Sequence, residues 1–157
     1  MIRKLKELFA PAAVAAADPV ARERLAVAAL LVEIARADHD HTDAERALGA
    51  HLLARHFGCS DAEAAALLAE AEARVEDSVS LHEFTSTLHK GLDHPAKQHV
   101  VTLLWELALG DRGLDKYEDY LVGKIAELLY VPRGDVIRLK VAVEEARLRA
   151  DSPGSAP

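Results

Sequence analysis

The sequence predicts an all-α fold: a single-domain bundle of about seven helices built from two pseudo-symmetric helix–loop–helix units. Three observations predict it. Ala, Leu and Glu dominate, half the residues are hydrophobic, and aromatics make up only 4%; that balance favours helix over strand. No segment shows strand alternation bounded by turn signals. A helix–loop–helix pattern also occurs twice at a constant offset, Asp38 to Asp111 and Glu45 to Glu118, which is 111 − 38 = 73 residues. The register is shared over about 30 positions, which reads as internal duplication. Leu30, Leu31, Glu33 and Ala35 match Leu103, Leu104, Glu106 and Ala108, and Leu48, Leu52 and Phe57 match Leu121, Ile125 and Tyr130. Two copies are too few for a solenoid, so a closed bundle is expected.

The elements follow in order. Ile2, Leu5, Leu8 and Phe9 fall at helical spacing opposite Arg3, Lys4 and Lys6. This short basic amphipathic helix can meet an anionic bilayer or a partner; the plainer reading docks it on the protein's own core. Small residues 10–18 form a linker, so residues 1–18 stand apart from a helical domain at 19–150. Asp18-Pro19 reads as an N-cap and a first-turn proline, opening a helix to about Ala37. Thr42 opens the second, stopped by Gly58. Ser60…Glu63 and Ser80…Glu83 are capping boxes that open the third and fourth helices, ending near Glu76 and Gly91. Asp93-His94-Pro95 opens the fifth, to about Leu109. Asp115 to Tyr130 is the sixth, and Pro132 or Asp135 starts a seventh through about Arg149. Residues 151–157 carry no pattern and are expected to be disordered.

Composition excludes several function classes. A length of 157 residues points to one domain. Such a chain buries roughly 70% of its unfolded surface. A net charge of −7 offers no broad basic field, so no nucleic-acid partner is expected. Cys59 is the sole cysteine, which rules out an intrachain disulfide and a cysteine-based zinc cluster. It fits a reducing cytosol. No apolar run reaches about 18 residues, so no membrane span is expected.

The acidic loops carry the functional signal. Part of it is capping: Thr42-x-x-Glu45 and Asp115-x-x-Glu118 explain those four residues structurally. Asp38 and Asp111 are different. Each follows a predicted helix C-terminus, where the dipole disfavours an anion by roughly 0.3–1 kcal/mol. Glu33 and Glu106 are a further shared pair inside apolar runs, and a buried glutamate needs a partner. A hard divalent cation (Ca²⁺, Mg²⁺ or Mn²⁺) would offset the cost, with Asp38, Glu45, Asp111, Glu118, Glu33, Glu106, Asp40 and Asp115 as candidate ligands. Glu33 and Asp38 lie about 140° apart on a continuous helix, so they do not share a face; an arginine on another helix is the alternative partner for Glu33. His39 and His41 add a possible Zn²⁺ set, against the plainer reading of a solvated loop. An EF-hand is rejected: the position of its turn glycine holds Asp43 or Lys116, and that of its final glutamate holds Gly49 or Val122. No Glu-x-x-His, His-Glu-x-x-His, phosphate-cradling glycine loop or nucleophile elbow occurs, so no enzyme is expected, and a metal-dependent hydrolase ranks last.

The two acidic units resemble the signature of the tellurite-resistance TerB-like family: an apolar helix, Ala-Asp-Gly, a Ser/Thr/Asp cap, and Glu three residues later. The matches are Ala37-Asp38 with Thr42 and Glu45, and Gly110-Asp111 with Asp115 and Glu118. The chain departs from the pattern at His39 and Arg112, where the family often has glycine. The resemblance covers about residues 20–147. It implies a helical, duplicated, cytoplasmic stress-response module that binds metal through these acids and works in membrane-associated protein complexes at the inner face of the membrane. It implies no known reaction. Carboxylates repel an oxyanion, so the family name is better read as a phenotype than as a ligand. Two readings stay open here: a divalent-metal-binding module, and a metal-free interaction or membrane-recruitment module whose acids are caps.

Overall fold

In a computed structural model of the protein, the residues described are 18–37, 42–77, 81–110 and 116–151. Seven helices and no strand occur among them: α1 Pro19–Ala37, α2 Asp43–Phe57, α3 Asp61–Glu76, α4 Leu81–Gly91, α5 His94–Leu109, α6 Lys116–Leu128 and α7 Arg133–Ala150. The all-α bundle is as the sequence predicts. The amphipathic pattern at 1–9, its linker through residue 17, and the tail from residue 152 lie outside the described residues.

Local chemistry sets the boundaries. Asp18 Oδ1 accepts from Val20 N–H at 3.0 Å, and Thr42 Oγ1 accepts from Glu45 N–H at 3.2 Å. Ser60 and Glu63 complete a reciprocal capping box at the start of α3. Asp93 Oδ1 accepts from Ala96 N–H at 3.0 Å to open α5. Gly58 ends α2 in the left-handed region at φ 66°, where a side chain would be strained. The sixth helix stops at Leu128, two residues short of the sequence boundary, because Tyr130 adopts φ 61° without being glycine. That conformation costs roughly 1–2 kcal/mol. Two contacts accompany it: Val131 N–H donates to Ala126 O at 3.0 Å, and the Tyr130 ring packs on His89 at 4.4 Å.

Packing is organised by α1. Eleven of its nineteen residues are buried, in an almost unbroken run from Leu25 to Ala37. A helix apolar all round must be surrounded, and α1 touches α2, α3, α4, α5 and α6. Its small residues Ala26, Ala28 and Ala29 admit close neighbours, while Leu30, Leu31 and Ile34 fill the centre. The second apolar helix is α5, with Val100, Val101, Leu103, Leu104 and Trp105 buried. By contrast α7 buries only Val136 and Val143, packing on α5 and α6. Two buried polar groups find partners within the bundle: Thr85 Oγ1 donates to the carbonyls of Leu81 and His82 at 3.1 Å each, and Lys97 Nζ donates to His89 Nδ1 at 2.6 Å.

Candidate functional site

The flanks of the two acidic loops meet at one end of the bundle. The first loop lies between Ala37, where α1 ends, and Thr42, the cap of α2. The second lies between Gly110, the C-cap of α5, and Lys116, where α6 begins. Leu48, one turn beyond Glu45 on α2, reaches within 3.7 Å of the place a Cβ would occupy on Gly110. Glu45 also shares a narrow crevice with Leu31 and Ala35 of α1 and Leu107 of α5. Its volume, about 20 Å³, admits about one water rather than a substrate. Asp38, His39, Asp40, His41, Asp111 and Asp115 fall on the loops themselves and lie outside the described residues. So do Arg3, Lys4 and Lys6.

Four candidate acids are described. Glu118 sits in the first turn of α6 and is 7% exposed. The positive end of the helix dipole favours a carboxylate there. Glu45 occupies the same place in α2, half-buried, with its own N–H satisfied by Thr42. Glu106 is held across helices: the Arg55 guanidinium of α2 donates to its carboxylate. The arginine from another helix, considered above for Glu33, thus belongs to Glu106. Glu33 is half-buried, and burial pushes its carboxyl above the ordinary value, against the pull of Arg36 one turn on. Beside the Arg55–Glu106 pair, His56 is held below its ordinary value, first by burial and then by His99 and Arg55, with Glu106 opposing. His56 is therefore neutral at pH 7. Among the described residues no group of three or more His, Cys, Asp or Glu side chains is placed to hold a metal.

Glu33 yields a pH prediction. A carboxyl raised in the fold stabilises most when protonated, below its ordinary value of 4.5, and that contribution is lost as pH rises through the elevated value. In chelator, Glu33→Gln should be more stable than the parent at pH 7, with the difference closing towards pH 4. Urea unfolding at both pH values measures it. A Glu33→Gln protein that is less stable at pH 7 would contradict the burial argument.

Sequence reasoning missed two features. The first is the set of cross-helix cations: Arg46 on Glu72, Arg55 on Glu106, and the Arg147 guanidinium donating to the Leu109 carbonyl at the end of α5. The second is a cleft of about 850 Å³ between α6 and α7, floored by Trp105. Its signal was present: all three tyrosines fall between positions 117 and 130, and they are 57%, 64% and 71% exposed.

Comparison with known proteins gives a family. The model described as Tellurite resistance protein TerB matches residues 24–141. The match spans every helix from α1 to α7 and contains both acidic loops. No curated protein and no solved structure matches the chain. Among the described residues no helix is long and apolar enough to cross a membrane.

Proposed function

The chain belongs to the tellurite resistance protein TerB family, and from that premise we propose a divalent-cation-binding helical module. Its acids would be Asp38, Glu45, Asp111 and Glu118, with Asp40, Asp115 and Glu33 close by, while Glu106 stays engaged by Arg55. The observation that carries the reading is the meeting of both loop flanks at Gly110 and Leu48. One ion of the Ca²⁺, Mg²⁺ or Mn²⁺ class could then be served by oxygens from both units. Zn²⁺ would need His39 and His41. Cation occupancy would order the loops, and the module would serve a stress response at the cytoplasmic face of a membrane, within a protein complex. No reaction is assigned.

A second reading, metal-free, has its own supporting observation. Arg147 reaches the Leu109 carbonyl, and Arg36 lies in the last turn of α1. Protein cations therefore already offset part of the anion–dipole repulsion at both helix ends. Isothermal titration of the full chain with Ca²⁺, Mg²⁺, Mn²⁺ and Zn²⁺ separates the two. Binding at one hundred times Kd should stabilise by about 2.7 kcal/mol, raising Tm by roughly 5–10 °C. Asp38→Ala with Asp111→Ala should abolish heat and shift together. Silence with all four cations in the parent chain leaves the metal-free reading.

A further inference from the structure

The α6–α7 cleft is separate from the acidic loops and has the form of a helix-receiving groove. Trp105, 2% exposed, forms its floor, and Tyr120, Tyr130 and Ile137, 64%, 71% and 52% exposed, form its walls. Contiguous exposed aromatic and aliphatic surface of this kind marks an interaction site. Lys124, Glu127 and Arg133 stand among the lining residues, a mixed charge pattern that selects neither an anionic nor a cationic ligand. Shape and apolar character therefore decide the occupant.

We propose that residues 2–9 of the same chain occupy the groove as an amphipathic helix, with Ile2, Leu5, Leu8 and Phe9 turned towards Tyr120, Tyr130 and Ile137. Three observations select this occupant. The first is proximity of origin. The Glu23 side chain of α1 lies so close to Gly91, the last residue of α4, that a Cβ there would collide with it. His89, two residues before Gly91, packs on Tyr130 at 4.4 Å, at the mouth of the groove. From α1 over α4 to α6 is two helix spacings, on the order of 20 Å. Residues 10–18 span up to roughly 30 Å when extended, so they reach. The second is length. Eight helical residues run roughly 12 Å, within the roughly 17 Å that Asp119 to Tyr130 offers. The third is charge. Arg3, Lys4, Lys6 and Glu7 give the segment +2; the chain carries −7, so the remainder carries −9 (−7 less +2). A basic segment is drawn to that acidic body, and its cations stay in solvent while its apolar face docks.

Disulfide trapping in the full chain tests this, without lipid, in a Cys59→Ser background. Leu5→Cys is paired with Gly123→Cys, since a Cβ at Gly123 meets open space. Leu5→Cys with Tyr120→Cys serves as a second groove pair should the first disturb the fold. Leu5→Cys with Glu70→Cys, on exposed α3, is the control. The groove pairs should close within one chain at least about tenfold faster than the control, through raised effective concentration. Adding Leu8→Asp should return them to the control rate. Equal rates at groove and control, the outcome expected if the segment docks only on a bilayer, overturn the proposal. So does a groove disulfide found only between two chains, which would make a second copy the occupant.

Discussion

Leu30→Ala should lower the unfolding free energy by about 4–5 kcal/mol, the upper part of the range for buried leucines. Leu30 is 0% exposed at the middle of α1, and α1 is enclosed by five other helices. The cost of such a deletion has two parts, lost transfer energy and the cavity left behind, and the second depends on whether neighbours can move in. Here they are rigidly placed, because α2 to α6 each pack against α1 and most also against one another. A loss of this size is a large fraction of the 5–15 kcal/mol typical of a folded domain. Val20→Ala on the same helix is the matched control: Val20 is 56% exposed in the first turn, and its loss should stay within about 0.5 kcal/mol. Urea unfolding followed by circular dichroism at 222 nm measures both. A Leu30→Ala loss below about 1 kcal/mol would mean that α1 is not the organising helix.

Much of the fold was legible in the sequence, because helix limits are set by short-range chemistry. Asp93-His94-Pro95 holds its own cap, and Gly58 supplies its own left-handed stop. Tyr130 was misread as helical for the opposite reason. Its positive φ is accompanied by ring packing on His89, forty-one positions earlier (130 − 89), and no local rule reports such a contact. The site divides the same way. Register alone picked out Asp38 and Asp111 as paired, but the closeness of their flanks rests on Leu48 against Gly110, which only the tertiary fold brings together. The pairing of Glu106 with Arg55 spans 51 residues and was likewise invisible. The groove was hidden because a cleft belongs to two helices at once: Tyr120 and Ile137 each look like an isolated exposed residue until α6 and α7 stand side by side.

That same corner holds the second large expected effect. Trp105 joins α5 to both of its later neighbours. Its indole Nε1–H donates to the Val136 carbonyl of α7 at 3.1 Å, and the Lys140 ammonium lies 5.3 Å over its ring while bonding Asp119 of α6 at 2.9 Å. Trp105→Ala should cost about 3–5 kcal/mol through loss of a large buried ring. Trp105→Phe should cost less, about 1–2 kcal/mol, since most of the ring volume survives and the hydrogen bond alone contributes about 1 kcal/mol. The damage should also be uneven. Because α7 buries only Val136 and Val143 besides the residues that meet Trp105, it has little else to hold it, whereas α1 keeps its own enclosure. Amide hydrogen exchange in Trp105→Ala should therefore speed up most along Arg133–Ala150 and least along Leu25–Ala37. Uniform acceleration across both helices would show instead that the domain opens as one cooperative unit and that Trp105 is no special tether of α7.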